Sequence, residues 1–177
     1  RTTVILKDDL LKRAAELAGM TEKTALLHAG LEALIEKKAR ERLAALGGSD
    51  PKAVAGAVAD DIVDTSVWVD HLRQSERKLI DLLDDGLVLT HPFVIQELAC
   101  ETLSGREEFL ELLHALPKAK VVKHQELLDL ITRKKLFGTG LGAVDVHLIA
   151  SAMLSRASLW SKDKALSRQA NRLGAAL

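Results

Sequence analysis

The chain has 177 residues, 47% of them hydrophobic and 28% charged, the balance of a folded globular protein rather than a disordered one. Its 25 basic and 25 acidic residues cancel, so charge alone demands no nucleic-acid partner. No apolar run approaches the ~20 residues of a membrane span, RTTVILKDD does not read as a secretory signal, and the single Cys100 leaves neither a disulfide framework nor a zinc spacing, so a reducing cytoplasm is expected.

RTTVIL reads as a β-strand, with Val4 and Leu6 on one face and Arg1, Thr3 and Ile5 on the other. Asp8 or Asp9 then caps a short helix whose apolar side carries Leu10, Leu11, Ala14, Leu17 and Ala18, and Gly19 stops it. A second helix starts at Thr21 and keeps an apolar stripe through Ala25, Leu27, Leu31, Leu34, Ile35 and Leu43 to about Leu46. One strand and two helices cannot close a core alone, and the strand would present an unpaired edge. Pairing with the same strand of a second copy satisfies that edge, so residues 1–46 are predicted to form an obligate dimer. Residues 47–60, GGSDPKAVAGAVAD, break the helical pattern and read as a linker.

Residues 61–177 alternate. Strands are predicted at 61–65, 87–90, 120–122 and 158–160, with helices near 70–85, 93–114, 125–135 and 143–156. That order predicts an α/β domain with a parallel sheet covered by helices on both faces. In such sheets the working residues gather beyond the carboxyl ends of the strands. Four carboxylates stand there: Asp64 in DIVDTS, Glu97 in VIQELAC, Asp145 after the loop GTGLG, and Asp163 in LWSKDKAL. Each interrupts an apolar stretch, which is costly unless the charge has a partner. Hard oxygen ligands without soft ones point to Mg²⁺ or Mn²⁺, with Thr65 and Ser66 placed to hold either the carboxylates or a metal-bound water through their hydroxyls. Such a pocket suits phosphodiester hydrolysis.

DIVDTSVWVDHL, VIQELAC, GLGAVDVHLIASA and LWSKDKAL resemble, in order and spacing, the four acidic blocks of PIN-domain ribonucleases, specifically the VapC toxins of bacterial toxin–antitoxin pairs. The resemblance implies a Mg²⁺- or Mn²⁺-dependent endoribonuclease acting on tRNA or other structured RNA, with Asp64, Glu97, Asp145 and Asp163 as metal-binding and catalytic residues. Residues 1–46 resemble a VapB antitoxin with a ribbon-helix-helix fold. That implies a two-stranded ribbon in the major groove of operator DNA, with Arg1, Thr3 and Ile5 facing base edges. The helix start near Thr21, Lys23 and Thr24 would hold a phosphate. Ile5 departs from the polar residue usual on such a face and offers only an apolar contact.

Family antitoxins lay the segment after their second helix across the toxin and place a basic side chain near its carboxylates. Arg40, Arg42 and Lys52 are the candidates here, and the intact chain is expected to be largely self-inhibited. Whether the fusion is natural, engineered or two chains numbered as one is open at this stage. The competing function is a DNA-binding regulator whose PIN-like domain is silent or permanently blocked.

Overall fold

A computed structural model describes residues 4–46 and 60–176. The chain divides into two compact units, residues 1–38 and 39–177.

In the first unit, α1 (Asp8–Ala18) carries Asp8 and Asp9 in its first turn, where acidic groups favour the helix dipole. Gly19 ends it at φ 64°, and its N–H reaches the Ala15 carbonyl, a conformation that suits a residue without Cβ. The next helix, α2 (Lys23–Leu46), begins two residues after the predicted Thr21, because the Glu22 carboxylate caps it. Glu22 accepts from the amides of Thr24 at 3.0 Å and Ala25 at 2.6 Å. Residues 4–7 precede α1 without joining a ladder, and residues 1–3, with Arg1 and Thr3, lie outside the described residues. The predicted strand is therefore not formed over residues 4–7: strand residues need a neighbour to pair with, and the described residues supply none there. No residue of α1 is buried.

The second unit begins inside α2. Its last two turns bring Ala39, Leu43 and Ala44 into one core with Ile62, Trp68, Leu79, Leu83, Leu98 and Phe109. Three parallel strands, β1 (Asp61–Val63), β2 (Val88–Leu89) and β3 (Ser158–Trp160), lie in the order β2-β1-β3. Asp61 stands opposite both Val88 and Ser158. The helices are α3 (Thr65–Gln74), α4 (Arg77–Asp85), α5 (Pro92–Cys100), α6 (Arg106–His114), α7 (His124–Lys134), α8 (Ala143–Ser155) and α9 (Lys164–Arg172).

Several boundaries differ from the sequence reading. The predicted helix at 70–85 is two helices, parted at Ser75 with φ 58°. The one at 93–114 is also two, parted before Gly105 with φ 64°. Residues 120–122 form no strand, and the chain there touches the sheet only through a bridge from Thr90 to Lys118. The α/β class and the parallel sheet stand, on three strands rather than four. No helix among the described residues is long and apolar enough to cross a membrane.

Candidate active site

The central strand delivers the first carboxylate. Asp64 follows β1, is 7% exposed, and caps α3 from an extended backbone. Its Oδ2 accepts the Ser66 amide at 3.3 Å, the Ser66 hydroxyl at 2.6 Å and the Ser161 hydroxyl at 2.8 Å. All three donors converge on one oxygen, leaving Oδ1 outside the set. Asp163 follows β3 and caps α9, its Oδ1 taking the amides of Ala165 and Leu166, each at 2.8 Å. The Ser161 hydroxyl also accepts the Asp163 amide at 3.0 Å, so one serine ties the ends of the two strands together.

The other two carboxylates come from helices. Glu97, on α5, accepts from the Thr65 hydroxyl at 2.6 Å, which joins it to the start of α3. Asp145, in the first turn of α8, accepts the Gly142 amide at 2.7 Å. Burial pushes the Asp145 carboxyl above its ordinary range. The Gly142 amide opposes that shift, while the charges of Asp64 and Asp163 add to it. Asp145 therefore feels the charges of Asp64 and Asp163, and Glu97 is bonded to Thr65, the residue beside Asp64.

Carboxylate and hydroxyl oxygens are the donors a hard divalent cation takes, and crowded negative charge is what such a cation relieves. In chemistry the residues fit Mg²⁺ or Mn²⁺. In spacing they stand open: among the described residues no group of three or more His, Cys, Asp or Glu is gathered closely enough to hold an ion.

Two side chains that the sequence reading passed over complete the site. Ser161 is one. Lys162 is the other: its ammonium contacts Asp70 at 2.9 Å and Glu76 at 2.6 Å, and its amide donates to the Ser66 hydroxyl at 3.0 Å. The only signal in the sequence was their place between the last strand and Asp163. Glu76 leads onward to the end of α2. Its amide donates to Nδ1 of the buried His71 at 3.2 Å, so Nε2 carries the proton and donates to the Leu43 carbonyl at 2.9 Å. A run of polar contacts thus connects the seat of Leu43 with Asp64.

Of the basic residues singled out for inhibition, Arg42 pairs with Glu108 on α6. The Arg40 guanidinium lies over Gly86, where an added Cβ would collide with it. Lys52 lies outside the described residues. Among the DNA-facing candidates, Ile5 is 98% exposed, while Thr21, Lys23 and Thr24 surround a helix start whose Thr24 amide is already engaged by Glu22.

A family model described as PIN domain matches residues 62–172, and one described as bacterial antitoxin of type II TA system, VapB, matches residues 1–46. Ribonuclease VapC32 of Mycobacterium tuberculosis (strain ATCC 25618 / H37Rv) is 44% identical over 117 residues, covering 66% of this chain and 94% of that protein. Antitoxin VapB32 of the same organism is 54% identical over 55 residues, covering 31% of this chain and 85% of that protein. No solved structure matches the chain at a significant level.

Proposed function

The chain belongs to the PIN-domain family and carries a VapB-like antitoxin segment ahead of its nuclease domain, and on that premise we propose that it hydrolyses phosphodiester bonds in RNA and restrains that activity through its own N-terminal segment. The observation that carries the reading is the Ser161 hydroxyl, which bonds both Asp64 and the Asp163 amide and so ties the two strand-end carboxylates together, with the charges of both acting on Asp145 at the start of α8.

Asp64, Glu97, Asp145 and Asp163 would hold Mg²⁺ or Mn²⁺. Such an ion, when bound, supplies Lewis acidity at the phosphoryl oxygens and an acidified water. The chain's own part is positioning. Ser66 and Ser161 fix Oδ2 of Asp64, Thr65 fixes Glu97, and Lys162 holds the turn that carries Asp163. These contacts set the carboxylates before substrate arrives, so the protein does not have to reorganise at the moment of reaction.

The restraint begins at Ala39, Leu43 and Ala44, which are buried in the nuclease core. Burying a leucine stabilises by about 1.5–3 kcal/mol, and the His71 and Arg42 contacts add polar anchoring. In this reading Arg40 and Arg42 clamp the helix end, and Lys52 is the basic residue left to approach the carboxylates. Covalent linkage keeps the inhibitor at an effective concentration of order millimolar.

The first unit would dimerise and bind operator DNA in the manner of a ribbon-helix-helix protein, in a cytoplasmic setting. Its support is an apolar cleft of about 310 Å³ between α1 and α2, lined by Leu6, Leu10, Leu11, Leu26, Leu27 and Leu31, which a second copy would cover. Arg1, Thr3 and Ile5 would face bases, and Thr21, Lys23 and Thr24 a phosphate that displaces the Glu22 carboxylate.

Proteolysis within 47–60, followed by dilution, should raise cleavage of a structured RNA in Mg²⁺, and Asp64→Asn should abolish it. Unchanged cleavage in that variant would sink the nuclease assignment. The open spacing of the carboxylates is what favours the second reading, a DNA-binding regulator with a silent PIN domain. An absence of metal-stimulated cleavage after proteolysis would select it.

A further inference from the structure

Beside Asp145 lies a cleft that the catalytic carboxylates do not use. Its volume is about 330 Å³, and its lining includes His124, Phe137, Gly138, Gly142, Val146 and His147. That size falls at the lower end of small-ligand sites, about 300–1,000 Å³. The wall residues Gly142 and Val146 bracket Asp145 in sequence, and the Gly142 amide is bonded to its Oδ2, so the cleft opens next to the carboxylate.

Its walls have the chemistry of a base-binding site. Phe137 is 66% exposed, so its ring is open to a planar group that enters the cleft. Base stacking on an aromatic ring tolerates any base, because every base has a π-face. Imidazoles stand on either side of the cleft, His124 at the start of α7 and His147 on α8. Nδ1 of His147 is buried without a hydrogen-bond partner, a costly state that a small rotation of the ring toward a base edge would relieve. Phe137 follows the exposed run Arg133, Lys134 and Lys135, and Lys123 precedes His124, so both ends of the lining are next to cations that attract a phosphate backbone.

We propose that this cleft is a nucleotide subsite: an unpaired base of the substrate stacks on Phe137 between His124 and His147, next to the phosphate presented to Asp145. The subsite deepens the nuclease reading and rests on it for its biological meaning. Its ligand is a single unpaired nucleotide, so the preferred RNA would be a loop or a flipped base rather than a duplex.

The test needs neither cleavage nor metal. Histidine ring resonances of the full chain would be followed by NMR during titration with adenosine 5′-monophosphate, and in parallel with ribose 5-phosphate. We expect saturable shifts confined to His124 and His147 with the nucleotide, and none of that size with the sugar phosphate. Phe137→Ala, at an exposed position, should weaken the nucleotide at least fivefold, and Phe137→Tyr should restore it. Equal shifts from ribose 5-phosphate would overturn the proposal, since the phosphate alone would then be bound. So would unchanged binding in Phe137→Ala, or no shift at either ring. Any of these leaves RNA cleavage and its loss in Asp64→Asn untouched, so the two readings fail separately.

Discussion

Replacing Asp61 by Asn should make the stability of the nuclease unit less sensitive to a rise in pH from 4 to 8. Asp61 opens the central strand, is wholly buried, and neither of its carboxylate oxygens has a hydrogen-bond partner. Burial pushes its pKa up to about 6, against a mild opposing pull from Lys78 and a small push from Asp60. A folded pKa raised above the ordinary 3.8 means that the fold gains stability from the protonated form. That gain is complete below 3.8 and is lost as pH rises through about 6. Converted at about 1.36 kcal/mol per unit, the loss is about 3 kcal/mol by pH 8. Asparagine cannot ionise and escapes it, although its own buried amide carries a pH-independent cost of about 1–3 kcal/mol. The informative quantity is therefore the stability difference between variant and parent at pH 8 minus that at pH 4. Melting followed by tryptophan fluorescence reads it, because Trp68 and Trp160 both lie in the second unit. At about 2–4 °C per kcal/mol for a domain of this size, the gap should move by roughly 6–12 °C in favour of the variant. An identical gap at both pH values would refute the account of Asp61 as a buried, unpaired charge.

Other outcomes follow from the same packing. His91 is buried, its Nδ1 accepts the Phe93 amide at 3.2 Å, and burial pushes its pKa down to about 4. A depressed histidine contributes stability above about 6.5 that is lost as pH falls through about 4. His91→Gln should therefore show a smaller drop in urea midpoint between pH 6.5 and 4.5 than the parent. Leu43→Ala should cost about 2–5 kcal/mol of stability in the second unit and increase RNA cleavage by the intact chain, checked by urea titration and a fluorescent RNA. Gly86→Ala places a Cβ at φ 74° and against the Arg40 guanidinium, and should lower the melting temperature by the equivalent of about 1 kcal/mol or more.

Much of the second unit is legible because each element announces itself locally. DIV and SLW are short strand-forming runs followed by a capping aspartate, at once after DIV and three residues on from SLW, and that pattern places Asp64 and Asp163 beyond the carboxyl ends of neighbouring parallel strands. The helix breaks were not legible. Apolar residues keep helical spacing across Ser75, and only the backbone reversal at φ 58° parts α3 from α4. KVV has strand-forming residues, but a strand needs a neighbour, and here the pairing stops at the Thr90–Lys118 bridge, whose hydrogen bonds come from Pro117 and Ala119. Ser161 and Lys162 acquire their roles through partners 97 and up to 96 positions away, which no local pattern encodes. The N-terminal segment is the opposite case: RTTVIL has a plain strand pattern, yet its described residues 4–7 join no ladder, because alternation alone supplies no neighbour to pair with.

His71 and Glu76 sit midway along the polar run from the Leu43 carbonyl to Asp64. They serve both the joint that seats the helix end and the scaffold of the acidic pocket, so neither job can be altered without disturbing the other. On the proposed reading, a substitution at this crossing that loosens the helix end would also slacken the turn that carries Asp163. Release, on that same reading, is sought on the helix side, at Leu43 or Ala39, where the polar run stays intact although the core loses packing.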